Sequence, residues 1–189
     1  MDDPEPVLAE VVRILEEQGV DYVLVGSMAS SLHGMYRSTA DLDLLADIKQ
    51  SQLTPLVNSF HAHFYVDELA AREAVAKRRS FNVIHYASVF KVDIFIPRDD
   101  FGQKQLERRE LRELNANNRV FVATAEDTIL AKLRWYRAGA EISTNHWNDV
   151  LGVLAANRKN LDSDYLNEWA EQLKVLDLLE TARTESERA

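Results

Sequence analysis

The chain has 189 residues, of which 46% are hydrophobic and 28% are charged, and its formal net charge is -9. This length and composition predict a packed globular protein with one sizeable core, or a core domain that carries a helical extension. Because the chain has no cysteine, disulfides, thiolate metal sites and cysteine nucleophiles are excluded. The negative charge disfavours broad electrostatic attraction to nucleic acid, which needs clustered lysines and arginines.

The N-terminus begins with acidic residues and prolines. A secretory leader would instead begin with a basic segment followed by an apolar run. No stretch of the sequence approaches the length that crosses a bilayer. We therefore expect a cytoplasmic protein with no membrane partner.

The first part of the chain has the pattern of a helix, a strand and a second helix. Apolar residues recur at helical spacing over residues 7–18, and Gly19 is placed to cap that helix. The apolar and β-branched run Tyr22–Val25 predicts a strand. The strand ends abruptly at Gly26-Ser27, where a tight turn leads into a helix over residues 28–33.

The middle of the chain alternates between strand and helix patterns. Asp41-Leu42-Asp43-Leu44-Leu45 alternates acidic and apolar residues, which is the period of a strand. Residues 81–85 and 90–96 predict the two strands of a hairpin joined through Ala87-Ser88. The remaining predictions here are helices at 50–60, 68–79 and 103–114 and strands at 63–66 and 120–122.

The last third of the chain has a helical pattern throughout. Thr124, with Asp127 three residues later, is typical of the capping box that opens a helix. From there to the C-terminus the apolar residues recur at helical spacing. The predicted core positions of this region are Ile129, Leu130, Leu133, Trp135, Leu151, Leu154, Leu166, Trp169, Leu173, Leu176 and Leu179.

Two carboxylates stand at the start of the acidic and apolar strand. Residues two apart in a strand point to the same side of the sheet, so Asp41 and Asp43 are expected to project together. Like charges so close together are unfavourable unless a cation or a basic partner compensates. Magnesium suits such a pair because it commonly binds through one or two carboxylates plus phosphate oxygens. The alternative is a solvated strand end that binds no ion.

The Gly26-Ser27 turn supplies the complementary half of a phosphate site. Glycine lets the backbone approach a ligand closely, and the free amides at a helix N-terminus attract an anion. The hydroxyl of Ser27 can donate to the terminal phosphates of a nucleotide. The turn and the carboxylates together predict a site for a metal ion and a nucleoside triphosphate.

A third acid, Asp93, interrupts the apolar strand at 92–96, where an unpaired charge is costly. If this strand neighbours the one that carries Asp41 and Asp43, the three acids can hold two metal ions. Asp93 would then help to deprotonate the attacking hydroxyl. In the alternative, Lys91 lies on the same face of the strand and pairs with Asp93.

Three parts of the chain resemble the signature of the DNA polymerase beta-like nucleotidyltransferase superfamily: Val25-Gly26-Ser27, Arg37-Ser38-Thr39-Ala40-Asp41-Leu42-Asp43, and Asp93. Within the superfamily the chain is most similar to the AbiEii and MenT type of bacterial toxin nucleotidyltransferases and to minimal nucleotidyltransferases. The resemblance covers residues 20–150. It implies an α/β (α+β) fold in which residues 1–123 form a catalytic core around a small mixed sheet. Residues 124–189 are expected to be a helical region packed on that core.

The resemblance also implies roles for further residues. Lys132 matches a lysine that neutralises triphosphate charge, and Asp149 matches an aspartate on the next helix that orients it or assists the base. The match departs at Asn145-His146-Trp147, where an arginine usually stands. The alternative for Lys132 and Asp149 is a surface lysine and a helix-surface acid.

Arg37, His33 and two aromatic residues of the sequence each admit two interpretations. Arg37, with Thr39 in the same loop, is placed to bind a phosphate, or to neutralise the carboxylate pair. His33 is either a core histidine at a helix end, which we favour, or a contact of the nucleotide. Trp135 and Tyr136 are interpreted as core residues rather than as platforms for a base.

These features predict a nucleotidyltransferase that depends on Mg²⁺ or Mn²⁺ and moves a nucleoside monophosphate from an NTP to an acceptor hydroxyl. The acceptor is RNA, a protein side chain or a small molecule such as an aminoglycoside, and the resemblance favours RNA or protein. The same resemblance suggests a toxin and antitoxin pair. The rival hypothesis is a non-catalytic binding or regulatory partner that has kept the fold.

Overall fold

The computed structural model of the protein describes residues 4–34, 41–115 and 118–187. These residues fall into two compact units. Unit 1 comprises residues 4–25, 41–115 and 118–122, and unit 2 comprises residues 26–34 and 123–187. Within the described residues, every strand lies in unit 1. No helix in these ranges is both long enough and apolar enough to cross a membrane.

Unit 1 is built on one mixed β-sheet. Its order is β3-β4-β5-β2-β1-β7-β6, in which β2 pairs with β5 and β1 with β7 in parallel, and the other neighbours are antiparallel. The strands are β1 Tyr22–Val25, β2 Asp41–Ala46, β3 Phe64–Val66, β4 Ser80–His85, β5 Lys91–Phe95, β6 Glu110–Asn115 and β7 Asn118–Val122. Among the described residues, the helices of this unit are α1 Glu5–Glu17, α3 Leu53–Phe60, α4 Glu68–Lys77 and α5 Asp100–Arg108.

Unit 2 is helical in the part that is described. The helix that follows β1 belongs to it and packs against two helices from the C-terminal third. The helices are α2 Gly26–His33, α6 Ala125–Ala138, α7 Thr144–Asn157, α8 Ser163–Gln172 and α9 Leu176–Ser186. The α/β fold class predicted from the sequence is therefore confirmed.

The core of unit 1 follows from the alternation along its central strands. Leu24, Leu44 and Ile94 lie opposite one another on β1, β2 and β5, and all three are fully buried. Helix α1 adds an apolar stripe whose members Leu8 and Leu15 are also fully buried. Burial of apolar side chains on this scale, worth about 1.5–3 kcal/mol each, stabilises the sheet.

The predicted cap of the first helix is confirmed. Gly19 follows α1 with φ +63°, a conformation that glycine adopts without the steric cost met by other residues. Its amide donates to the carbonyl of Glu16 at 3.0 Å, and the amide of Val20 donates to the carbonyl of Leu15 at 2.9 Å. The last carbonyls of the helix are thereby paired, and the chain turns towards β1.

The predicted helix at 103–114 is wrong in both of its bounds. Helix α5 begins earlier, where the carboxylate of Asp99 caps it by accepting from the amide of Gly102 at 3.0 Å, and it ends at Arg108. Residues 110–115 form strand β6, in which Leu111 lies opposite Phe121 of β7. The residues of this segment have good helix propensity, but pairing with the sheet outweighs propensity.

In unit 2 the predicted capping residue is confirmed, because the hydroxyl of Thr124 accepts from the amide of Asp127 at 3.1 Å. Leu133 is fully buried, whereas Trp135, predicted as a core residue, is 53% exposed. The physical reason is that residues two apart on a helix differ by about 200° around its axis. A stripe that buries Leu133 therefore turns Trp135 away from the core.

Candidate functional site

Four charged side chains share one face of the sheet in unit 1. In the parallel pair of β2 and β5, Asp41 lies opposite Lys91 and Asp43 lies opposite Asp93. Residues opposite each other in a ladder share a face, as do residues two apart on one strand. The intervening Leu42 is fully buried, so the alternation points these four residues away from the core. The three acids proposed from the sequence are thus neighbours on the sheet.

Lys91 is a positively charged member of this group. Its ammonium lies 2.8 Å from Oδ2 of Asp93, and the two side chains are 40% and 23% exposed. The hydrogen bond with Asp93 raises the pKa of Lys91, burial opposes this rise, and the charges of Asp93, Asp41 and Asp43 add to it. All three acids therefore act on the same ammonium, and the Lys91–Asp93 pairing considered from the sequence is present.

The donor chemistry of this face fits a hard divalent cation whose coordination is completed by a nucleotide. No three side chains of histidine, aspartate or glutamate in the described ranges are arranged so as to hold a metal ion by themselves. Mg²⁺ does not need such a cage, since it commonly uses one or two carboxylates together with phosphate oxygens and waters. Asp41 and Asp43, on one strand and one face, offer the carboxylates that such binding needs.

The first strand leads directly to the predicted phosphate turn. Val25, the last residue of β1, lies opposite Asp43 in the ladder, and the chain continues without a linker into α2 at Gly26. Gly26 has φ +67°, a left-handed conformation that strongly favours glycine. The change from strand to helix at this point explains the glycine, and it leaves Ser27 in the first turn of α2.

Unit 2 contains a buried ion pair at this helix. The ammonium of Lys132 on α6 lies 2.7 Å from Oδ2 of Asp149 on α7, and it donates to the hydroxyl of Ser27 at 3.2 Å. The side chains of Lys132 and Asp149 are only 5% and 8% exposed. The alternative of two surface residues is therefore wrong. Burying two charges is costly, so each charged group needs a close partner, as Lys132 and Asp149 provide for each other.

The end of α2 is fixed by contacts that the sequence did not reveal. A Cβ on Gly34 would lie 3.0 Å from backbone atoms of Gly152 and Val153 on α7. Nε2 of His33 donates to the carbonyl of Ala123 at 2.6 Å, and the side chain of Asn157 donates to the carbonyl of His33 at 2.6 Å. His33 is thus a buried residue at a helix end, as the favoured interpretation held.

The aromatic residues of this region form a separate contact. The rings of Tyr136 and Trp147 are 5.1 Å apart at an angle of 35°, and Nε1 of Trp147 donates to Glu185 at 2.8 Å. Trp147 lies in the segment where an arginine was expected from the resemblance, and here it links α7 to α9 instead. Arg37 and Thr39 lie outside the described residues.

No protein-family model and no curated protein sequence matches the chain. Solved structures are similar to it in fold. The structure of ANT(2'')-Ia in complex with adenylyl-2''-tobramycin has a TM-score of 0.58 at 11% identity, over 89% of this chain and 95% of that one. A nucleotidyltransferase-like antigenic protein from Paracoccidioides brasiliensis has a TM-score of 0.55 at 16% identity, over 94% and 91% of the two chains.

A proposed nucleotidyltransferase from Thermotoga maritima has a TM-score of 0.53 at 18% identity, over 79% of this chain and 96% of that one. At these identities the similarity establishes the fold and nothing finer. The chain therefore has the nucleotidyltransferase fold.

Proposed function

We propose that this protein is a metal-dependent nucleotidyltransferase that moves a nucleoside monophosphate from an NTP to an acceptor hydroxyl. One observation carries the proposal: Asp41, Asp43 and Asp93 lie on one face of two paired parallel strands, in a chain with the nucleotidyltransferase fold. Asp43 and Asp93 stand directly opposite each other, and like charges in that position weaken a sheet.

Asp41, Asp43 and Asp93 are the residues that hold the divalent metal in this proposal. When bound, the ion balances triphosphate charge and stabilises the attacking and leaving oxygens. Oxygen ligands of this kind suit Mg²⁺ or Mn²⁺. The strand alternation orients the carboxylates, because it fixes their backbone positions through the buried leucines between them.

Unit 2 contains its own group of residues suited to an anion, and in this proposal they contact phosphate. Ser27 lies in the first turn of α2, where backbone amides and the helix dipole favour an anion. Lys132 contacts Ser27 and supplies a positive charge, while Asp149 holds the lysine in place through their ion pair. Gly26 contributes the close backbone approach. Arg37 and Thr39, which precede β2 in the sequence, are proposed to add phosphate contacts.

The reaction is an in-line displacement at the α-phosphorus. The acceptor oxygen forms a bond to phosphorus, the bond from the α-phosphorus to the bridging oxygen of the β-phosphate breaks, and pyrophosphate leaves. The proton of the acceptor hydroxyl passes to the carboxylate of Asp93, which acts as the general base. Positioning and charge stabilisation supply most of the acceleration in reactions of this type.

Two observations bear on the nature of the acceptor. The net charge of -9 disfavours long RNA and favours an acceptor that is neutral or cationic. The structure of ANT(2'')-Ia, which is similar in fold, is a complex with adenylyl-2''-tobramycin. A small cationic molecule with a free hydroxyl is therefore our first candidate, and a protein hydroxyl and RNA follow.

The proposal is tested by incubating the protein with Mg²⁺ or Mn²⁺ and each NTP labelled at the α-phosphate. Parallel reactions contain aminoglycosides, total cell protein or total cell RNA. We expect pyrophosphate release together with incorporation of label into one of these pools. The reaction should require the divalent ion and should be lost on addition of EDTA.

Asp41→Asn is the inactive comparison, and Asp47→Asn, one residue beyond the end of the same strand, is the matched control. Incorporation by both the wild type and Asp47→Asn, but not by Asp41→Asn, supports the proposal. If the wild type transfers no label and binds no NTP in the presence of metal, the result refutes the proposal and supports the non-catalytic alternative.

A toxin role is a further part of the proposal, and it makes a prediction in cells. Induced expression of the wild-type chain in a bacterial host would arrest growth if its acceptor is essential. Expression of Asp41→Asn at the same level would not. Growth that is equal in the two cultures would exclude a toxin role in that host without affecting the enzymatic proposal.

A further inference from the structure

We infer that Lys91 takes the place of a second metal ion beside Asp93, so that the site binds one divalent cation per nucleotide. This inference rests on the proposed function, because it concerns the metal that accompanies the NTP. It replaces the expectation from the sequence that the three acids hold two ions.

The ladder places Lys91 among the acids. It lies opposite Asp41, and Asp93 lies opposite Asp43, so the lysine occupies one corner of a group of four charged residues. Strand pairing fixes the backbone of Lys91, because a residue of β5 cannot leave the face without shifting the register. The side chain of Lys91 therefore projects from the same face as the three acids.

Lys91 also contacts the third acid directly. The ammonium of Lys91 lies 2.8 Å from Oδ2 of Asp93, the distance of a charge-assisted hydrogen bond. A two-metal site needs carboxylates that serve two ions about 3.5–4 Å apart. An oxygen that already accepts from an ammonium is a poor ligand for a second cation, which would also be repelled by the lysine.

The number of carboxylates on one strand also agrees with one ion. Mg²⁺ commonly binds through one or two carboxylates together with phosphate oxygens and waters. Asp41 and Asp43, two apart on β2, therefore suffice for one ion, while Oδ2 of Asp93 accepts from Lys91.

The inference is tested by equilibrium dialysis with Mn²⁺ and a non-hydrolysable NTP analogue. The ratio of bound Mn²⁺ to bound nucleotide is measured in the protein compartment. We expect a ratio of one for the wild type and two for Lys91→Met, in which the ammonium is removed. Lys91→Arg retains the charge and should remain at one.

Lys49→Met is the matched control, because Lys49 is an exposed lysine of the same unit, and it should also remain at one. Lys91→Gln provides a second neutral variant should Lys91→Met fail to fold, and it should give two. The fold of every variant is checked by circular dichroism.

A ratio of two in the wild type, or of one in both neutral variants, overturns the inference and leaves the proposed function intact. A wild type that binds neither Mn²⁺ nor the analogue refutes the proposed function, and the inference with it. The two failures are therefore distinguishable in one set of measurements.

Discussion

Lys132 and Asp149 form an ion pair of 2.7 Å although more than nine-tenths of each side chain is buried. Substitution of one residue leaves the other side chain charged and buried without this ion pair. We expect Lys132→Met and Asp149→Leu each to lower the free energy of unfolding by about 3–5 kcal/mol. Urea unfolding followed by circular dichroism measures this change.

The double variant Lys132→Met with Asp149→Leu should recover most of the lost stability, since it leaves no uncompensated charge. Lys77→Met removes an exposed ion pair with Glu73 and should leave the unfolding midpoint nearly unchanged. A double variant as unstable as the sum of its single changes would contradict this account.

Asp41 and Asp43 should be needed for nucleotide binding but not for folding. We expect Asp41→Asn and Asp43→Asn to abolish calorimetric binding of the metal complex of a non-hydrolysable NTP. Transfer activity should fall by about 100-fold or more, as it does when a group that stabilises transition-state charge is removed.

The stability of Asp43→Asn should be equal to that of the wild type or slightly greater, because the substitution removes a like charge directly opposite Asp93. The comparison with Asp47→Asn separates loss of the site from a general effect of removing an acid. Binding that persists in both Asp41→Asn and Asp43→Asn would remove these residues from the proposed site.

Tyr22 should make the fold sensitive to alkali. Its ring is 2% exposed and its hydroxyl donates to Glu16 at 2.9 Å. Burial raises the pKa of Tyr22 well above its ordinary value, and the hydrogen bond to Glu16 raises it further. The stabilising contribution of the neutral phenol is fully present below the unfolded-state pKa of about 10, and it is lost as the pH rises above that value.

The free energy of unfolding should therefore fall between pH 9 and pH 11 more steeply in the wild type than in Tyr22→Phe. At neutral pH Tyr22→Phe should cost about 0.5–1.5 kcal/mol, the usual contribution of one hydrogen bond. Tyr86→Phe, at an exposed tyrosine, is the control and should keep the wild-type pH dependence. Parallel pH profiles for the wild type and Tyr22→Phe would show that Tyr22 does not titrate as described.

Gly34 should tolerate no side chain, because a Cβ there would lie 3.0 Å from backbone atoms of α7. Since a backbone cannot move aside as a flexible side chain does, Gly34→Ala should cost about 1–3 kcal/mol. Thermal unfolding monitors the change. Gly139→Ala is the control, because its nearest neighbour would be at 3.4 Å, and it should shift stability by no more than about 0.5 kcal/mol.

The sequence predicted that the acids of each strand share a face of the sheet, because this follows from the local alternation of residues along a strand. Period-two alternation places Asp41 with Asp43, and the same rule places Lys91 with Asp93. The pairing of β2 with β5 in register was open, since it depends on contacts between segments about fifty residues apart. Pattern alone could not decide it.

Three other features were not predicted, because they too depend on contacts between segments that are distant in the sequence. Residues 110–115 have helix propensity, and only the neighbouring strand β7 makes them extended. Lys132 and Asp149 have the composition of surface residues, and only the packing of α6 against α7 shows that they are buried. The packing of Gly34 against Gly152 gave no signal in the sequence, because a close approach of two backbones has no periodicity.

Helix α2 packs against residues that lie far along the chain and are therefore translated much later than α2 itself. Ser27 meets Lys132 across 105 positions, and His33 meets Ala123 across 90. At typical elongation rates the ribosome needs roughly 5–20 s to make the intervening residues. Throughout that interval the apolar side of α2 lacks the helices that later cover it, so the nascent chain should be a substrate for ribosome-associated chaperones.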